Sequence, residues 1–236
     1  MPTILKNQEQ ALSTPPNHPW VEWQLADSAF PTGGFAHSGG LEAACQHREI
    51  RNRADLEAFI VAGMVQTGYS SIPFVCAAFE PNRDFRELDA LCDAFTNNHV
   101  ANRASRAQGR ALLAVVNRAF PESGVKEWRA EVLENDLACH LAPVFGTVAR
   151  LLGLERKRTA RLFLFTQLRG WMASAVRLNA IGPLEGQALQ ARLSVRAEQI
   201  VEESIGLTVD DLAQTAPVLD LFQATHDRLY SRLFQS

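Results

Sequence analysis

The chain has 236 residues, 47% of them apolar and 21% charged, which is enough interior for one compact domain without disulfides or a structural metal. Its formal net charge is −3 and its cations are nearly all arginine, with lysine only at Lys6, Lys126 and Lys157, so it lacks the basic balance of a nucleic-acid binder. The four cysteines, Cys45, Cys76, Cys92 and Cys139, are scattered without a CxxC pair and imply reduced thiols rather than a zinc site or a disulfide framework.

Residues 1–19 carry Pro15, Pro16 and Pro19 among polar neighbours and are expected to form a flexible tail. They lack the basic start, apolar core and cleavage site of a secretory signal, so a cytoplasmic protein is expected. The apolar runs ALLAVV and LFLF fall well short of the ~20 residues that cross a bilayer, and membrane insertion is not expected.

From Trp20 onward apolar residues recur three and four apart, as in Leu56, Phe59, Ile60 and Met64, then Leu88, Leu91, Cys92 and Phe95. Asp84, Ser123 and Thr208 suit helix starts. Gly153, Gly182-Pro183 and Gly206 suit left-handed caps or breaks at helix ends. Leu219, Phe222, Leu229 and Leu233 share one face after Pro217, which predicts a closing amphipathic helix. Strand alternation is scarce and hairpin dipeptides are absent. The expectation is an all-α, single-domain bundle of roughly eight to ten helices over residues 20–236.

The densest unusual stretch is FPTGGFAHSGGLE, Phe30 to Glu42. Its glycines suit close approach of another surface, or amides at a helix start facing a phosphate. A complete P-loop pattern is missing and no lysine lies near, so nucleotide hydrolysis by this chain alone is not expected, although a partner could bring the nucleotide. Ala36 to Gly40 loosely mimics a nucleophile elbow, with Asp220 and His226 downstream, which makes a serine hydrolase built on Ser38 an alternative. Against it, the preceding WVEWQLADSAF reads as a helix where an elbow needs a strand.

Cys139-His140 is an adjacent pair of soft ligands, so a direct nickel carrier using them with surface histidines is a further alternative. Helical neighbours, however, point roughly 100° apart. His37 and His47 have no acidic partner at ligand spacing, so no metal site is assigned. Arg103, Arg106 and Arg110 make one cationic helical face, and RKRTAR at 156–161 another. Arginines beside apolar residues suit a protein interface. The segment HDRLYSRLFQS is either a last helix docked on the bundle or an amphipathic tail for a partner's groove.

Five blocks in order resemble the urease accessory proteins UreF: Trp23–Ala44, Asn102–Leu113, His140–Leu154, Ala175–Pro183 and Pro217–Ser236. The resemblance implies an all-helical, typically dimeric, non-catalytic protein that joins UreD (also called UreH) and the GTPase UreG on apo-urease. Nickel and GTP would be handled by that assembly, with no cofactor bound by this chain. It places partner-binding positions at Pro31, Gly33, Gly34, Phe35, Ser38, Leu41 and Glu42, at Arg177, and at His226, Tyr230, Ser231, Arg232, Leu233 and Phe234. The sequence departs from common bacterial members at Ala104, Asn179-Ala180 and Gln235.

Overall fold

The computed structural model describes residues 19–236. The tail expected over residues 1–19 lies outside them, apart from Pro19, which opens the first helix. Among the described residues there is no strand, and the chain runs through α1 (Pro19–Ala26), α2 (Leu41–Gln46), α3 (Arg53–Ser70), α4 (Ile72–Ala77), α5 (Phe85–Phe95), α6 (His99–Ala119), α7 (Val125–Glu134), α8 (Leu141–Leu151), α9 (Arg156–Arg177), α10 (Pro183–Ser204) and α11 (Pro217–Thr225). The all-α reading of the sequence holds.

The bundle is organised around two short apolar helices. All of α4 is buried, and so is α8 from Ala142 to Ala149. A helix that is apolar all round must be covered on every side. Accordingly α3, α8 and α9 enclose α4, α6 and α9 flank α8, and α10 lies across α3 and α9. Leu56, Ile60, Met64, Ile72, Phe74, Leu112, Leu164 and Ile200 fill the interior with almost no exposure. Residues 53–77 are long and apolar enough to cross a membrane by length and composition. Uninterrupted apolar runs miss this stretch because small and hydroxylated residues dilute it. In the fold it breaks at Ser71 and is mostly buried as core.

The caps follow local chemistry. Asp84 accepts from the Arg86 amide at the start of α5, and Thr208 forms a reciprocal capping box with Asp211. Ser123 accepts from the Val125 amide while Gly124 takes the cap position of α7. Gly153 is left-handed after α8, as expected. The cap of α9 is Asn179 (φ 56°), not Gly182, which instead precedes Pro183 at the start of α10. Asn tolerates that conformation, and the Ala180 amide closes the turn on Ala175 O at 2.9 Å. Gly206 is not left-handed either, since α10 ends in right-handed geometry at Ile205.

Cys139 and His140 are not on a helix but lead into α8. The buried carboxylate of Asp89 on α5 accepts from both their amides, at 2.9 and 2.8 Å, so an anion meets the positive end of α8. This holds Cys139 at φ 63°, with its carbonyl against Gly109 of α6. A Cβ on Gly109 would overlap that carbonyl oxygen, whereas one on Gly170 of α9 meets nothing within 4 Å. Gly109→Ala is therefore expected to destabilise the fold by about 3 kcal/mol. Gly170→Ala should stabilise it by about 0.5–1 kcal/mol through helix propensity. Urea unfolding of the two variants measures both, and equal effects would remove the α6–α8 contact from the argument.

Candidate functional site

The Gly-rich loop lies between α1 and α2 and meets the segment after α11. Gly34, Gly39 and Gly40 pack against the chain itself, whereas a Cβ on Gly33 would meet nothing within 4 Å. A Cβ on Gly39 (φ 60°) would crowd the Trp171 indole of α9, and one on Gly40 (φ 88°) would press on backbone atoms of Leu219 and Gln223 in α11. Only glycine combines that close approach with left-handed backbone. The amides opening α2 turn inward: Leu41 donates to Ser38 O at 3.3 Å and Glu42 to Ser38 Oγ at 3.4 Å. They do not present a phosphate cradle.

The closing amphipathic helix expected after Pro217 stops early. α11 ends at Thr225, a single tight turn covers His226–Arg228, and residues 229–236 leave helical geometry. The cause is Glu42. Its carboxylate, 2% exposed, accepts from the Leu233 amide at 2.6 Å, the Phe234 amide at 3.2 Å and His226 Nε2 at 2.9 Å. Charge-assisted bonds from three donors outweigh the helical bonds that this segment gives up. Two further backbone bonds join loop and tail: Gln235 N to Ala36 O at 2.7 Å and Ser38 N to Ser236 O at 2.6 Å. Gln46 adds a bond to the Ser231 carbonyl at 2.8 Å.

Arg177 at the end of α9 ties the two segments together. Its guanidinium carbon lies 3.9 Å from the Phe35 ring centre and 4.1 Å from that of Phe234. It also donates to Phe35 O at 2.6 Å and reaches Leu233 O at 3.5 Å. A guanidinium between two rings gains cation–π energy on both faces, about 0.5–2 kcal/mol each. At the outer edge Asp227 collects Arg103 at 2.9 Å, Arg232 at 3.4 Å and His99 at 3.5 Å. The hydrogen bond from Arg103 holds the Asp227 carboxyl below its ordinary range, helped by these surrounding cations.

The residues singled out from the sequence thus gather in one place, but at two depths. Ser38, Leu41, Glu42, His226 and Phe234 are buried and set the shape of the platform. Pro31, Gly33, Phe35, Tyr230, Ser231, Arg232 and Leu233 are exposed, with Gly34 and Arg177 between. Tyr230 stands fully in solvent. Sequence reasoning weighed His37 only as a metal ligand, whereas it bonds Ser236 Oγ, and passed over Gln46, Asp227 and Trp171, which carry no local signal.

The two chemical alternatives find no matching geometry. Ser38 is buried, and its hydroxyl donates to Ser236 O at 3.2 Å. His226 Nε2 is engaged by Glu42, and Asp220 offers its carbonyl to Asn98. Among the described residues no bond joins Ser38, His226 and Asp220 into a relay. For the carrier, both ring nitrogens of buried His140 are taken, Nδ1 by Ser105 at 3.1 Å and Nε2 by Asp93 at 2.9 Å. Burial pushes the Cys139 thiol up, away from the thiolate that would bind metal. No cluster of three or more metal-ligating side chains occurs among the described residues.

Removing the carboxylate of Glu42 strands a buried histidine and two amides. Glu42→Ala should cost about 3 kcal/mol, and the amides of Leu233 and Phe234 should lose hydrogen-exchange protection first. Retained protection there would show that other contacts hold the tail. Burial foremost, then the charges of Arg103 and His226, hold His37 below its ordinary 6.5. The unfolded chain takes up that proton more readily, so this contribution is complete above pH 6.5 and is lost as pH falls below it. Lowering the pH from about 7.5 to about 5.5 should therefore destabilise the wild type more than His37→Gln. Equal losses in urea titrations would exclude His37 as the source.

A model of the family UreF matches residues 50–194, which leaves out both the loop and the tail. Urease accessory protein F of Oryza sativa is 40% identical over 219 residues, covering 91% of this chain and 84% of that protein. The protein of the same name in Arabidopsis thaliana is 38% identical over 221 residues, 92% of each chain. Urease accessory protein UreF of Mycobacterium tuberculosis is 32% identical over 212 residues, 90% of this chain and 96% of its own. With an all-helical fold and relatives of this identity along nearly its whole length, the chain belongs to the UreF family of urease accessory proteins.

Proposed function

We propose that this chain is a non-catalytic assembly scaffold in urease maturation, acting in the cytoplasm as a homodimer. It joins UreD and the GTPase UreG on apo-urease and regulates the GTP-dependent insertion of nickel. Family membership supports the urease part of this reading. The observation that carries the scaffold part is the loop–tail platform, which spends three buried hydrogen bonds and a sandwiched guanidinium on displaying Phe35, Tyr230 and Leu233 to solvent.

Exposed aromatic and arginine side chains on a rigid base have the character of binding hot spots, because ordering them costs little on association. Nothing in the sequence supplies a P-loop, so GTP belongs to the partner and its hydrolysis drives a conformational exchange that this scaffold biases. Nickel is cargo of the assembly, passed to urease while the scaffold holds donor and acceptor in register.

Tyr230 and Arg232 are exposed, and Arg232 makes a single surface ion pair of little worth to the fold. Tyr230→Ala combined with Arg232→Ala should leave thermal unfolding unchanged while weakening assembly with UreD and UreG by about 2 kcal/mol, roughly thirtyfold in Kd. Co-purification of the partners, and urease activity in nickel-supplied cells lacking their own UreF, read this out. Full activity with the double variant would remove those side chains from the interface. Inactivity of the wild-type chain beside cognate partners would overturn the scaffold reading.

A further inference from the structure

Beside the platform, α6 faces an open cleft of about 610 Å³ lined by His99, Asn102, Arg103, Arg106 and Arg110. Several exposed cations elsewhere on the bundle are matched across helices. Lys157 meets Glu202, Arg161 meets Glu198, Arg192 meets Glu57 and Arg53 meets Glu185. Within the second cationic stretch seen in the sequence, Lys157 and Arg161 are thus neutralised by α10, and Arg158 lies 3.9 Å from both Glu22 and Glu155.

The cleft is different. Arg103 is committed to Asp227, but among the described residues neither Arg106 nor Arg110 forms an ion pair with a carboxylate. The neighbouring Asp93 is already engaged by Asn102 and His140. Arg110 lies near the Cys139 thiol.

We propose that this cleft docks an acidic helix of a partner protein, whose carboxylates pair with Arg106 and Arg110. The inference stands on the charge geometry and does not depend on the role in urease maturation. The three arginines advance along α6 by ~4.5 Å and then ~6 Å. A second helix laid alongside with glutamates three and four apart carries anions at the same intervals. Guanidinium forks make two parallel bonds to a carboxylate as they do to a phosphate, so it is the linear spacing of Arg106 and Arg110 that fits carboxylates carried on a helix. The lining also contains no Phe, Tyr or Trp ring on which a nucleotide base could stack.

The test uses the full chain and a labelled alanine-based helical peptide with glutamates at i and i+4, at low ionic strength where surface charge is least screened. Fluorescence anisotropy should show binding, with the glutamine counterpart at least about tenfold weaker. Arg106→Glu combined with Arg110→Glu should abolish binding of the glutamate helix and create binding of a lysine counterpart. A misfolded chain would not give that exchange of preference. The proposal is overturned by undetectable binding, by equal binding of glutamate and glutamine helices, or by a double variant that binds as the wild type does. Inorganic pyrophosphate binding more tightly than the glutamate helix, and lost in the same variant, would assign the cleft to a phosphate ligand instead.

Discussion

A buried carboxylate is costly unless it is fully partnered, and Glu42 is the point at which this molecule meets that demand. It lies in α2, immediately after the Gly-rich loop, and takes its donors from the tail and from His226. The loop's backbone, the early end of the last helix and the seat of the Arg177 guanidinium all follow from satisfying that one group. The pair with His226 is incomplete on the histidine side, because Nδ1 has no protein partner. The arrangement therefore depends on Glu42 more than on the histidine, whose other ring nitrogen contributes nothing to holding the tail.

The bundle itself was legible because its signals are local. Leu56, Phe59, Ile60 and Met64 declare a helix within three turns, and Asp84 and Thr208 cap helices through amides two or three residues on. The glycine density between Phe30 and Glu42 announced a close approach but could not say to what, since Trp171 and Gln223 are far away in the chain. The tail misled for the same reason. Its apolar spacing is helical, yet donors reaching Glu42 across about 190 residues override local preference. Cys139-His140 looked like a ligand pair because adjacency was visible and Asp89, which organises it from α5, was not.

Charge shows the same division. The arginines at 103, 106 and 110 were readable as one helical face, and those at 156–161 as another. Only the fold shows that Lys157 and Arg161 of the second face meet glutamates of α10 while Arg106 and Arg110 of the first form no ion pair among the described residues, next to Asp227 and the platform. Exposed Tyr230 and half-exposed Leu233 then lie close to uncommitted guanidinium groups, a mixture of anchors and charge typical of surfaces that select a partner as well as hold it.

The separation in sequence between the two halves of the platform has a temporal consequence. Glu42 and Ser38 leave the ribosome long before His226, Phe234 and Ser236, their partners 184 to 198 positions later. Helices α3 to α10 can close into a bundle once α10 has emerged to cover α3 and α9, but Glu42 stays without its partners until synthesis has passed His226. A chain truncated before His226 would thus carry a nearly finished bundle without the loop–tail platform, so the order of synthesis alone makes that surface the last part of the molecule to form.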